Sequence, residues 1–212
     1  AGNPYMMEKL DPLGTSVTTA CSYAPADKGY GIRAAIWAGA HLDAEAAPVL
    51  FDRGLVAPGV DSGYVESASS FGGKAFPGTV GQYNPGSQPF LKVNRHGERF
   101  MNESQEYDNA SHASFQQPGH VYAMIHDANF REDVDRFHTI GCSALTRYIP
   151  GMMESQLEQY EAEGLIMKAD TIEELADKMG FAGADKDTFI ATVQRYNELY
   201  DAQKDEDFGK PA

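Results

Sequence analysis

The sequence predicts an α+β chain, and three observations carry the prediction. Helical patterns alternate with short apolar runs, those runs are separated by hairpin-type turns, and no internal repeat emerges. Of 212 residues, 42% are hydrophobic and 23% charged, which is enough for a buried core and argues against a disordered tail. One domain and part of another is the natural count.

Taken in order, Asn3 to Leu10 reads as a short helix, with Asn3 as cap and Pro4 at the first helical position, stopping at Asp11-Pro12. A loop of small and polar residues follows. Ile32 to Ala40 reads as a helix with Ile32, Ala35, Ile36 and Gly39 on one face. Asp52 to Pro89 is rich in Gly, Ser and Pro, a poor core but a good binding loop. Phe90 to Asn94 is expected as a strand, with a turn at His96-Gly97 and a return from Arg99 to Met101. Val121 to Asp127 is a further strand, Gly151 to Glu163 a Glu-rich helix with a solvated face, and Leu165 to Lys168 a short strand after Gly164. Thr171 and Glu174 form a capping-box pattern, so Ile172 to Met179 is a helix ended by Gly180. Asp187 to Gln203 is the last helix, with Phe189, Val193, Tyr196 and Tyr200 as its apolar face.

A net charge of −14 repels phosphate and so argues against nucleic acid or an anionic membrane as partner, while a local Arg cluster can still hold a small anion. Cys21 and Cys142 lack metal-ligand spacing and read as two buried thiols. No apolar stretch approaches the length of a membrane span, and no signal peptide opens the chain.

The richest segment is Phe90 to Glu103, FLKVNRHGERFMNE, which sets Val93-Asn94, a charged Gly turn, Arg99-Phe100, Met101 and Asn102-Glu103 in one run. It resembles a signature of the fumarate reductase/succinate dehydrogenase-type FAD-dependent flavoproteins, of the flavocytochrome c fumarate reductase kind. A second match follows in the family's order, ADTIEELADKMGF from Ala169 and TVQRYNELYDAQKDEDFGK ending at Lys210; a third, GYGIRAAIWAGA, runs from Gly29 to Ala40. The resemblance implies that residues 1–50 are a partial FAD-binding-domain segment and 51–212 a capping, substrate-covering domain. FAD belongs to the full-length protein. The fragment itself is expected to hold none, because the dinucleotide fingerprint is missing: Gly29-Tyr30-Gly31-Ile32-Arg33-Ala34, with Asp52 beyond it, follows no apolar strand. The chain is thus expected to be an internal piece of a larger flavoprotein, with its own FAD-binding domain among its partners.

The resemblance also implies chemistry. Fumarate-reducing members pass a hydride from flavin N5 to one alkene carbon while an arginine protonates the other, and laying the signature over Arg99 to Glu103 puts Tyr107 at that arginine's position. A phenol with a neighbouring cation is a workable acid, and tyrosines take acid-base roles in related ketosteroid flavoenzymes. The bland alternative is that Tyr107 packs under the cap. Where the fumarate reducers place His-Pro-Thr to hold a carboxylate, this chain has Ala47-Pro48-Val49, which disfavours a dicarboxylate. Gln82 and Tyr83 map as substrate contacts or turn-lining residues, and Arg99 with Glu103 as an ion pair supporting the loop of Tyr107. His96 reads as an exposed turn residue, His112 and His120 as lining the cleft or facing solvent, and His41, His126 and His138 show no partner pattern. The expected function is therefore part of an FAD-dependent oxidoreductase acting on an activated C=C bond of an enoate or enone, with room for a redox donor such as a cytochrome. The alternatives are an isolated small-ligand-binding cap without catalysis, a ketosteroid-dehydrogenase-like flavoenzyme, and a structural subunit of a respiratory complex.

Overall fold

The computed structural model describes residues 11–18, 29–43, 54–66, 74–78, 83, 86, 88–137 and 150–211, apart from a few side chains within these spans. It is a mixed helix-and-strand structure with few strands, and its chain separates into two compact units. One gathers 1–50, 54–56 and 60–82; the other gathers 51–53, 57–59 and 83–212.

In the first unit, Asp11 and Pro12 begin a helix where a stop was expected. Helix α1 is Pro12–Ser16, and Asp11 Oδ1 accepts the Gly14 N–H at 2.9 Å while Pro12 gives up no needed donor. Helix α2, Tyr30–Trp37, opens at Gly29 with φ 71° and buries none of its residues. Two short strands inside the expected loop, β1 Val65–Glu66 and β2 Lys74–Ala75, pair antiparallel with Val65 opposite Ala75. Tyr64 and Phe76 meet edge to face beside them at 5.8 Å. The helix expected at Asn3 to Leu10 and both cysteines lie outside the described residues.

In the second unit, β3 Leu91–Val93 buries all three residues and pairs antiparallel with β4 Ala123–Ile125, Lys92 facing Met124. A single bridge from Val93 to Arg99 is all that remains of the expected return strand. Between these strands lies helix α3, Tyr107–Phe115, followed by a 3₁₀ turn, Pro118–His120; after β4 come α4, Phe130–Arg136, and α5, Pro150–Ala162. The strand expected at Leu165 to Lys168 does not form. The N–H groups of Leu165 and Ile166 both turn back to Tyr160 O, at 2.8 and 3.1 Å, so the end of α5 consumes the donors a strand would offer a neighbour.

Helix α6, Ile172–Lys178, is capped as its sequence dictates: Thr171 Oγ1 accepts the Glu174 N–H at 3.1 Å, and Gly180 turns left-handed after it, φ 85°. Helix α7, Gly183–Asp201, starts four residues before the expected Asp187. Leu91 and Val93 pack with Ala176 of α6 and Phe189 and Val193 of α7 to form the core. Tyr200, expected on that face, is exposed and lies beside Arg136, while Leu199 is buried instead.

Candidate functional site

The signature turn is organised by Asn94. Its Oδ1 accepts the N–H groups of His96 (2.9 Å) and Glu98 (3.1 Å), and its Nδ2 donates to Glu98 Oε2 and Gln117 Oε1, both at 3.1 Å. Gly97 completes the turn at φ 76°, where a Cβ would stand 2.6–2.7 Å from the Phe189 backbone of α7. Glycine is therefore demanded twice, by conformation and by close approach.

Arg99 follows. Its Nε and Nη2 donate to the two oxygens of Glu103 at 2.8 Å each, and Nη2 also donates to Asp205 Oδ2 at 2.7 Å. The guanidinium lies between the rings of Tyr196 and Phe208, 4.9 Å from each centroid. Side chains of Arg99, Glu103 and Asp205 are 6%, 0% and 8% exposed. Burial alone would lower the Arg99 pKa, but the bonds to Glu103 and Asp205 outweigh it and hold it above the ordinary arginine value. Burial likewise works against the charge on Asp205, and the hydrogen bonds from Arg99 and from the Phe208 and Lys210 N–H groups overcome it, holding that carboxyl far below the usual range. Lys210 Nζ donates to Pro89 O at 2.5 Å and to the Tyr196 hydroxyl, and stands 3.8 Å from Glu103 Oε2; burial brings its pKa down to about 8. Two cations and two carboxylates thus close on one another inside the unit. A shallow depression of about 410 Å³ lies over this cluster, lined by Arg99, Tyr196, Phe208, Arg195 and Asp207 among others.

The chain leaves the cluster through a tight turn. Asn102 Oδ1 accepts the Ser104 N–H at 2.9 Å, and Gln105 N–H returns to Asn102 O at 3.4 Å. Helix α3 then starts, with Glu106 at its cap making no side-chain capping bond and Tyr107 as its first residue. Tyr107 is thereby placed at a helix start four residues past Glu103; its side chain lies outside the described residues, as does Gln82. Tyr83 is 4% exposed and meets Tyr160 edge to face at 6.1 Å, and burial pushes its phenol up to about 12.

His96 stands exposed, 3.2 Å from Asp185, and His112 and His120 are also exposed. His126 sits between the rings of Phe90 (5.2 Å) and Phe130 (4.5 Å). Among the described residues no group of three or more His, Cys, Asp or Glu is arranged to hold a metal, and no helix is long and apolar enough to cross a membrane. Gly29 opens α2 with a left-handed φ of 71°, and a Cβ on Gly31 would meet nothing within 4 Å. The residues before Gly29 lie outside the described ones. The sequence pattern puts Tyr196 on the apolar face of the last helix and gives no site role to Asp205, Phe208 or Lys210. The signal was present, since all four fall inside the second matched segment, but nothing in spacing says that a surface-looking DEDFGK tail folds back on Arg99.

Residues 5–212 match the family model described as FAD binding domain, and the chain belongs to that family of FAD-dependent oxidoreductases. It is 29% identical to the vinyl phenol reductase of Lactiplantibacillus plantarum over 98% of its own length and 40% of that protein's. With the 3-oxosteroid 1-dehydrogenase of Mycolicibacterium smegmatis it shares 36% identity over 59% of its length and 21% of the relative's. The solved open conformation of a flavocytochrome c3 fumarate reductase shares the fold: TM-score 0.56 at 20% identity, covering 99% of this chain and 29% of that one. The chain therefore spans less than half of the relatives it matches.

Proposed function

We propose that this chain supplies the cap, residues 51–212, and a short piece of the FAD-binding domain, 1–50, of an FAD-dependent oxidoreductase that reduces an activated C=C bond of an enoate or enone, or runs the dehydrogenation in reverse. FAD, held by the whole protein, supplies the hydride chemistry. Tyr107 carries the proton: its phenol O–H bond breaks, the proton goes to the alkene carbon opposite the one that receives hydride, and solvent reprotonates the phenolate. Arg99 and Glu103 are support residues that fix the turn leading to Tyr107. Gln82 and Tyr83 are substrate contacts, and the burial of Tyr83 against Tyr160 supports a turn-lining part for that tyrosine. A cytochrome is a fitting electron donor.

The observation that supports this reading is the turn held by Arg99 and Glu103, which leads to Tyr107 as the first residue of α3; the resemblance puts that residue where fumarate reducers have a donor arginine. A second reading, dehydrogenation of a ketosteroid-like substrate, is favoured by the 36% identity to a 3-oxosteroid 1-dehydrogenase and by the phenol itself. Both use Tyr107. The test is Tyr107→Phe in the full-length, FAD-loaded enzyme. Loss of a general acid lowers turnover by roughly a hundred- to ten-thousand-fold, while reduction of the flavin by an artificial dye, which does not need this proton, stays nearly unchanged. A Phe variant with full turnover removes Tyr107 from the chemistry.

A further inference from the structure

We propose that Asp205 is a positioning residue for the start of α3, acting through Arg99 and Glu103, so that the segment after α7 sets the geometry of proton delivery. The inference rests on the reading of Tyr107 above. Asp205 lies past the end of α7, where an acid ordinarily faces water, yet its side chain is 8% exposed. Both its oxygens are saturated. Oδ1 accepts the N–H groups of Asp207 (3.0 Å) and Phe208 (3.1 Å), and Oδ2 accepts that of Lys210 (3.0 Å) and Nη2 of Arg99 (2.7 Å). The carboxylate therefore folds the tail and binds the arginine in one step.

The folded tail then reaches the turn before α3 at three places. Asp205 holds Arg99, which holds Glu103 by two bonds; Asn102 Nδ2 donates to Phe208 O at 3.5 Å; and Lys210 Nζ stands 3.8 Å from Glu103. The rings of Phe208 and Tyr196 also stand against the guanidinium, each with its centroid 4.9 Å away. At the helix start Glu106 makes no side-chain capping bond that could take over from these links. The direction in which α3 leaves the turn is thus set from Asp205, 106 residues away from Arg99 along the chain. Displacement of a reacting group by about 1 Å costs up to a hundredfold in rate, so loosening this clamp reads out in turnover before it reads out in folding.

The test uses the full-length, FAD-loaded enzyme. Asp205→Asn keeps an amide oxygen for the Asp207 and Phe208 N–H groups and removes the charge opposite Arg99. It is expected to lower kcat roughly ten- to a hundred-fold with KM, flavin content and dye reduction little changed. Introduced into Tyr107→Phe, the same substitution is expected to add no further loss, because both act on one proton; independent contributions would multiply. Phe208→Leu, which opens one face of Arg99 and keeps every hydrogen bond, is expected to repeat the pattern more weakly, and it carries the test if Asp205→Asn does not accumulate. An unimpaired kcat in either single variant, or a full multiplicative loss in the double variant, overturns the positioning role alone. Full turnover of Tyr107→Phe overturns the reading of Tyr107, and this inference with it.

Discussion

Arg99 and Glu103 join through two parallel hydrogen bonds of 2.8 Å, across a segment that is not helical, with the carboxylate wholly closed to solvent. A buried pair of this kind is stable only when its fork geometry is good and the remaining charge is answered, since desolvating both ions costs several kcal/mol. Here Asp205 answers the arginine and Lys210 stands by the glutamate. The cluster is neutral as a set, so no member can be removed without exposing the others' cost.

Arg99→Ala is therefore expected to destabilise the 212-residue chain by about 3–5 kcal/mol, because Glu103 and Asp205 stay buried without their cation. Arg99→Lys keeps the charge but loses the fork and the flat faces against Tyr196 and Phe208, and recovers only part of that loss. Urea unfolding midpoints at constant m-value decide it. A lysine variant as stable as the parent would mean that charge alone, not fork geometry, holds the cluster.

Gly97 gives a separate test of the turn. Gly97→Ala faces a left-handed φ of 76° and a collision with the Phe189 backbone, together about 2–5 kcal/mol. Gly180→Ala shares the left-handed φ, 85°, but has open space around it and is expected to lose about 1–2 kcal/mol. Equal losses at the two sites would show that Phe189 moves aside.

Acid is expected to destabilise the chain in two steps. Burial between Phe90 and Phe130 lowers the His126 pKa below its ordinary 6.5, an effect that the Asp127 carbonyl and carboxylate only partly offset. The unfolded chain then takes up this proton first, so the contribution is complete above about pH 6.5 and declines as pH falls through the lowered value. Asp205 works in a second window. Its folded pKa lies far below the ordinary 3.8, so its contribution is present above that value and is lost as pH falls beneath it. Unfolding free energy measured against pH in His126→Phe should lose the first decline and keep the second. Survival of both declines would assign the first to other groups.

The parts of the fold that the sequence made legible are those whose signal is local. Thr171, Glu174 and Gly180 bracket α6 because capping and a left-handed stop act within a turn or two, and the strand expected over Phe90 to Asn94 forms as Leu91–Val93. The pairing of Arg99 with Glu103 was legible for the same reason, being four residues apart. What escaped was set by distant partners. Helix α3 has weak apolar periodicity and no capping signal, and its start is held by a turn tied to Phe208 and Asp205. Leu165 to Lys168 has strand composition but spends its N–H groups on Tyr160. The contact of Tyr83 with Tyr160, 77 residues further along the chain, has no local signal either.

The last prediction concerns the acid's identity in the full-length, FAD-loaded enzyme. Tyr107→Arg installs the donor that the fumarate-reducing members use, at the position the signature assigns. A donor is only half of that chemistry, because a dicarboxylate must also be held at its far end, and Ala47-Pro48-Val49 offers neither an imidazole nor a hydroxyl there. The variant is expected to keep measurable turnover of an enone or mono-enoate, since arginine can still deliver a proton, and to show no strong reduction of fumarate. Product formation from the two substrates, compared in the parent, Tyr107→Phe and Tyr107→Arg, separates donor from pocket. Efficient fumarate reduction by Tyr107→Arg would show that the pocket still accepts dicarboxylates and that the tyrosine alone had closed that reaction.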